Sequence, residues 1–185
     1  MRYREQSRIP ERIEGLVEEG LAIVKGVADR YDGARRNPWN EVECGHHYAR
    51  ALASWSVLSA LAGYRYSAID QTLTFVPKVN ASNFRCFFAA GSGWGTLSRT
   101  AEDRSVTFRV AARHGEVPIR HLIVNVAQGS VVATTRVTGP NEQPITGHTT
   151  VVNGADVHVD FGRPLALAAR TEISVELGTT THRRG

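Results

Sequence analysis

Residues 105–137 read SVTFRVAARHGEVPIRHLIVNVAQGSVVATTRV, and this stretch decides the fold of the second half of the chain. Valine, isoleucine, threonine and phenylalanine alternate with polar residues, at the period of two that is typical of strands with one buried face. Gly115-Glu116 and Gly129-Ser130 interrupt the pattern, as turns do. The stretch therefore predicts three strands, over residues 105–112, 121–127 and 131–137.

The strand pattern extends outward from this stretch in both directions. Further candidates lie at residues 72–76, 84–88, 157–161 and 172–177. The region before them is helical, so helices precede strands and no βαβ alternation occurs. This order excludes a Rossmann-type or TIM-type core.

Two helices are predicted in the first 63 residues. The first begins near Pro10, which suits the first helical position, and its apolar residues recur at helical spacing towards Gly33. The second covers residues 45–62, is apolar around nearly its whole circumference and ends at Gly63. A helix of that kind is buried on most sides, inside something larger than two helices. The first half therefore looks like the last segment of a larger helical domain.

Composition and charge exclude several classes of protein. The chain has 185 residues, 42% of them hydrophobic, and no apolar run approaches the roughly 18 residues of a membrane span. The formal net charge is +4, but the basic residues are scattered and form no stripe, so nucleic-acid binding is not expected. Two cysteines make no disulfide framework, and the first ten residues lack a signal peptide. A cytoplasmic location is expected.

The densest group of chemically active residues lies at residues 37–50, NPWNEVECGHHYAR. Polar groups at the start of a buried helix need partners, and a ligand rich in hydroxyls is one. The carboxylate of Glu41 accepts hydrogen bonds from two sugar hydroxyls, whereas Arg50 donates in a fork. Trp39 or Tyr48 is suited to stack on the apolar face of a pyranose.

Structural alternatives exist for the same run. In one alternative, Arg50 pairs with Glu41 or Glu43 in a buried salt bridge. In another, Glu43 caps the helix. Cys44 and the neighbouring histidines resemble metal ligands in type only, because no metal-binding spacing accompanies them, and no metal site is expected. Farther along, the glycine-rich segment at residues 91–95, GSGWG, predicts a tight turn that lets its tryptophan pack.

Several segments resemble the C-terminal region of glycoside hydrolase family 116, the non-lysosomal, bile-acid-type β-glucosidases. They are Arg30-Tyr31-Asp32-Gly33, the run at residues 36–45, His47-Tyr48-Ala49-Arg50-Ala51, Ala53-Ser54-Trp55, Phe87-Phe88 and Gly93-Trp94-Gly95. The resemblance covers about residues 21–98. It implies a retaining β-glycosidase with an (α/α)6 catalytic barrel and no cofactor. The fold that it implies here is α then β, with the terminal helices of an incomplete (α/α)6 barrel followed by a β-rich C-terminal region.

The resemblance also assigns roles to residues. Glu41 and Arg50 fall on the family's sugar-binding residues, with Trp39 and Tyr48 shaping the pocket. No residue matches the nucleophile or the acid/base, so residues 1–98 are expected to be a barrel fragment, inactive alone, with residues 99–185 as an extension. The partners expected are a β-glycoside in the complete enzyme and the upstream part of the barrel.

A second hypothesis makes the chain a stand-alone β-rich module that binds glycan or a partner chain. Its strands would be those at residues 105–177, whose only aromatic residues are Phe108 and Phe161. That scarcity counts against glycan binding.

Overall fold

The computed structural model describes residues 16–36 and 51–181 of the chain. The chain divides into two compact units, Met1–Gly63 and Tyr64–Gly185. The boundary predicted between residues 98 and 99 falls within a strand, Gly93–Glu102. As a boundary between a catalytic part and an extension, it stays a prediction.

The described part of the first unit contains two helices, α1 (Val17–Ala28) and α2 (Ala51–Ala62). Ala60 of α2 is buried, and Ile23 and Val24 of α1 pack against it together with neighbours on α2. Gly63 ends α2 with a φ of +56°, a conformation that glycine adopts without strain. Neither of the described helices is long and apolar enough to cross a membrane.

The described part of the second unit, residues 64–181, is built from nine strands. They are β1 (Tyr64–Ser67), β2 (Thr72–Phe75), β3 (Asn83–Ala90), β4 (Gly93–Glu102), β5 (Ser105–Asn125), β6 (Ser130–Thr138), β7 (Thr149–Asn153), β8 (Asp156–Ala168) and β9 (Glu172–Thr181).

The long strand β5 belongs to two sheets and joins them. Its first half lies between β4 and β9, which gives a sheet of order β3-β4-β5-β9-β6. Its second half lies between β2 and β8, which gives the order β1-β2-β5-β8-β7. All pairs are antiparallel except β2 with β5. We call these the first sheet and the second sheet.

The two sheets face each other across the core. Phe75 of the second sheet meets Phe108 of the first edge to face, with ring centroids 6.2 Å apart. The rings of Tyr64 and Phe88 also meet across the core, with centroids 5.8 Å apart and an interplanar angle of 48°. Alternate residues of the strands are buried between the sheets, and they carry most of the apolar area that folding removes from water. The largest are Leu73, Phe75, Phe88, Leu97, Phe108, Ile119, Leu122, Leu167, Ile173 and Leu177.

The prediction of an incomplete (α/α)6 barrel is wrong. The described residues are mostly strand, with two helices of 12 residues each. The apolar circumference of α2 suggested burial on most sides, yet Trp55 is 57% exposed. The strands start immediately after α2, at Tyr64, because Gly63 ends the helix. The prediction that helices precede strands is the part that matches the element order.

Candidate functional site

Three rings form a row on the outer face of the first sheet. The register pairs Trp94 of β4 with His114 of β5. It also pairs Trp94 with Ala89 of β3, so Phe87 lies diagonally across, two residues along the strand. The Trp94 and His114 rings are parallel within 8°, with centroids 6.0 Å apart. The Phe87 and Trp94 centroids are 5.9 Å apart, at an interplanar angle of 42°. We call Phe87, Trp94 and His114 the ring row.

A β-bulge in β5 brings His114 beside Trp94. Trp94 pairs with His114, whereas the next residue, Gly95, pairs with Ala112, so Arg113 is an extra residue in β5. In a regular strand, residues 112 and 114 lie on the same face. Here Ala112 is fully buried and His114 is exposed. The bulge therefore re-aims His114 from the core to the outer face.

Glycines on both sides of Trp94 let β4 lie close to the bulge. A Cβ on Gly95 would collide with the carbonyl oxygen of Ala111, and one on Gly93 would lie 2.6 Å from a carbonyl oxygen of β5. Gly115, just after the bulge, has a φ of +70°, which side chains other than glycine rarely adopt. The position of the ring row thus depends on three glycines and one extra residue.

The ring row is open to solvent. Trp94 is 44% exposed and Phe87 is 41% exposed. Single exposed apolar residues are common on proteins, but two large adjoining rings make a contiguous patch, which is typical of a binding surface. The contacts with its neighbours restrict the rotamers of the indole, so its exposed part is held in place.

Polar side chains lie beside the ring row on the same face. Arg109 Nη1 donates a hydrogen bond to Glu172 Oε1 at 3.3 Å, and both side chains are about half exposed. Cross-strand neighbours run in two lines over this face, Phe87–Thr96–Ala111–Glu172 and Arg85–Ser98–Arg109–Ser174. Chemically, the surface offers apolar rings edged by hydroxyls, a carboxylate and guanidinium groups.

The site residues predicted from sequence lie outside the described residues. They are Trp39, Glu41, Tyr48 and Arg50. Their grouping into one sugar site, and the structural alternatives for the same run, stay predictions.

Two reactive groups of the second unit, Cys86 and Tyr64, are held protonated by burial. Cys86 is buried, and burial raises the pKa of its thiol to about 11, so it is not a ready nucleophile. Burial likewise raises the pKa of Tyr64 to about 12, with smaller contributions from Tyr66 and Cys86. Among residues 16–36 and 51–181, no group of three or more His, Cys, Asp and Glu is placed to hold a metal ion.

The ring row was not predicted from sequence. The segment GSGWG suggested a turn with a packed tryptophan, but the turn is confined to residues 91–92 and the tryptophan is exposed on β4. The hypothesis of a glycan-binding module placed its strands at residues 105–177, whereas the β-rich unit begins at Tyr64 and includes further aromatic residues. The signal was the Phe87-Phe88 pair, because adjacent strand residues point to opposite faces and one ring must therefore point outward.

Comparison with known proteins gives a distant structural likeness. No protein-family model matches the chain, and no curated protein matches it. Among solved structures, the chain is similar to an alpha-L-rhamnosidase from Dictyoglumus thermophilum, a glycosidase by its name, with 11% sequence identity and a TM-score of 0.39. The match covers 82% of this chain and 17% of that chain, so the chain spans less than a fifth of the rhamnosidase's length. At this identity and TM-score, the likeness carries no argument about substrate or residue roles.

Proposed function

We propose that the chain is the carbohydrate-binding part of a glycoside hydrolase, and that the ring row binds the apolar face of a sugar. The observation that supports this proposal is the exposed indole of Trp94, held between the rings of Phe87 and His114. The C–H groups of a pyranose face carry slight positive charge, and the face of an indole is negative, so the two attract and also bury apolar area. Because the indole is held already, binding costs little side-chain entropy.

The polar residues around the ring row suit the edges of a sugar. Thr96 and Ser98 lie on the strand that carries Trp94 and have the same parity, so their hydroxyls are on the same face. Hydroxyls both donate and accept hydrogen bonds, as sugar hydroxyls do. The Arg109–Glu172 pair adds charged donors and acceptors nearby.

The parent enzyme in this proposal is a retaining β-glycosidase, as the resemblance to family 116 implies. Glu41 and Arg50 would hold sugar hydroxyls in the complete enzyme, with Trp39 and Tyr48 shaping the pocket. The nucleophile and the acid/base, a carboxyl pair about 5 Å apart, would come from other segments. The support for this part is the sequence resemblance of residues 21–98.

Titration calorimetry with soluble β-linked gluco-oligosaccharides tests the proposal. We expect weak binding to the full chain, and Trp94→Ala should lower the affinity at least tenfold, because an indole contact contributes on the order of 1.5–3 kcal/mol. Trp55→Ala is the matched control, since Trp55 is also exposed but lies on α2. Thermal unfolding of both variants checks that they remain folded.

Two results would overturn the proposal. One is equal affinity of the wild-type chain and Trp94→Ala for every sugar that binds. The other is the absence of binding to every sugar. If Trp94→Ala then abolishes self-association, as measured by sedimentation, the ring row is a protein contact.

A further inference from the structure

Most charges on the outer face of the first sheet are compensated. Glu172 lies 3.3 Å from Arg109, and Glu176 lies 3.8 Å from Arg136. Each of these carboxylates therefore has its own arginine.

Two arginines at the ends of the ring row differ from Arg109 and Arg136, because they are not paired with a carboxylate of the described residues. Arg85 is exposed and lies two residues before Phe87 on β3, so both side chains are on the outer face. Arg113 is the extra residue of the bulge, immediately before His114, and it is also exposed. Among residues 16–36 and 51–181, neither guanidinium has a carboxylate within 4.0 Å.

The position of Arg85 suits a group at the edge of a ligand that lies on Phe87 and Trp94. Residues two apart on a strand are separated by about 6.7 Å, which is within the span of one sugar ring and its substituents. The cross-strand neighbour of Arg85 is Ser98, whose short side chain leaves the space above it open. The nearest acidic residue along β5 is Glu116, which begins the half of β5 that pairs with β8.

We infer that the ring row takes an acidic saccharide, with Arg85 binding the carboxylate of a uronic acid while the sugar face packs on the rings. This inference rests on the proposed function. A guanidinium matches a carboxylate through two parallel hydrogen bonds, which a neutral hydroxymethyl group cannot accept in the same way. Arg113 adds positive potential at the other end of the row. The preference for acidic over neutral sugar is therefore set by Arg85 and strengthened by Arg113.

The test compares two disaccharides that differ only at one carbon, one of two glucose units and one ending in glucuronic acid. Calorimetry at low salt should give about fivefold tighter binding of the acidic sugar, as expected for a partly exposed charge pair. Arg85→Gln should remove most of that preference, leaving only the part due to Arg113, and leave the affinity for the neutral sugar unchanged. Arg65→Gln is the matched control, because it removes the same charge from an exposed position on β1. Added salt should reduce the preference in the wild-type chain.

The outcomes separate this inference from the proposed function. Equal binding of both sugars, abolished by Trp94→Ala, would overturn the acidic preference and leave the sugar-binding surface in place. If Arg65→Gln reduces the acidic preference as much as Arg85→Gln does, the preference comes from net charge alone. That result would overturn the role of Arg85. No binding of either sugar would overturn both proposals.

Discussion

The indole of Trp94 and the imidazole of His114 lie parallel across two strands because one extra residue, Arg113, shifts the pairing between them. The rings meet on the outer face, where packing by the core contributes nothing to their placement. Their alignment depends on the backbone, through the bulge and through glycines that allow close approach of β4 and β5. Changes to the backbone should therefore disrupt the surface as much as changes to the rings.

Gly95→Ala should strongly destabilise the second unit. Its Cβ would collide with the carbonyl oxygen of Ala111, and a backbone atom cannot move aside as a flexible side chain can. We expect a loss of about 3 kcal/mol or more in the free energy of unfolding, measured by urea denaturation.

Gly91→Ala is the control for this change, because a Cβ there has no atom within 4 Å and its φ is not positive. Its effect should stay within about 0.5 kcal/mol. Equal stability of the two variants would contradict the close approach of the strands at Gly95.

Arg99→Met should leave the protein as stable or make it more stable. Arg99 is 5% exposed, its Nε has no hydrogen-bond partner in the described part of the chain, and burial lowers the pKa of its guanidinium. Its Cζ lies 5.5 Å from the centre of the Phe108 ring, a contact that offsets only part of the cost of burying the charge. Methionine keeps an unbranched apolar chain without the charge, so we expect a gain of about 1 kcal/mol in urea denaturation.

Arg99→Ala separates charge from packing. It removes both the guanidinium and the aliphatic stem, so it should destabilise the protein relative to Arg99→Met. A methionine variant less stable than the wild-type chain would show that the guanidinium makes a favourable interaction in the core.

The strands were predictable from sequence where they alternate regularly, and less so where the backbone is irregular. The predicted strands at residues 72–76, 84–88 and 172–177 correspond to β2, β3 and β9. In contrast, the first three residues of β4 were included in the turn predicted at residues 91–95, because two of them are glycines, which allow close strand contact here. The strands β1 and β7 were not predicted, and none of their residues is fully buried, which weakens the apolar signal.

The length of β5 was missed for a related reason. Gly115 with its positive φ has the local character of a turn, so the sequence predicted two strands, at residues 105–112 and 121–127. In the fold, pairing with β4 and β9 before the bulge and with β8 after it keeps the chain extended through 21 residues. Such non-local pairing leaves no local signal. The ring row was hidden for the same reason, because it joins residues of three strands.

Stability should fall as the pH rises above about 9. Burial raises the pKa of Cys86 from 9.0 to about 11 and that of Tyr64 from 10.0 to about 12. Between those values the unfolded chain has lost protons that the folded chain keeps. The contribution is therefore fully present below about pH 9 and is lost as the pH rises through 11 and 12. Urea denaturation at several pH values measures this slope, and Cys86→Ala should make it shallower.

Thiol labelling tests the burial of Cys86 independently. In a Cys44→Ser background, an aromatic disulfide reagent at pH 8 should label the chain slowly, because the folded thiol is both inaccessible and protonated. Addition of denaturant should make labelling fast. Rapid labelling of the folded chain would contradict the burial of this residue.

The chain alone should hydrolyse no aryl β-glucoside above background. No residue of the sequence matches the carboxylate nucleophile or the acid/base of family 116, and retaining hydrolysis requires both. The assay is release of the chromogenic aryl group, with chain purified free of contaminating glycosidases. Turnover that persists after that purification would place a catalytic carboxylate in this chain.

In a complete enzyme that contains these residues, Glu41→Ala should raise KM and lower kcat/KM, because sugar contacts contribute to transition-state binding. A variant with a lower melting temperature but unchanged kinetics would instead assign Glu41 a structural role.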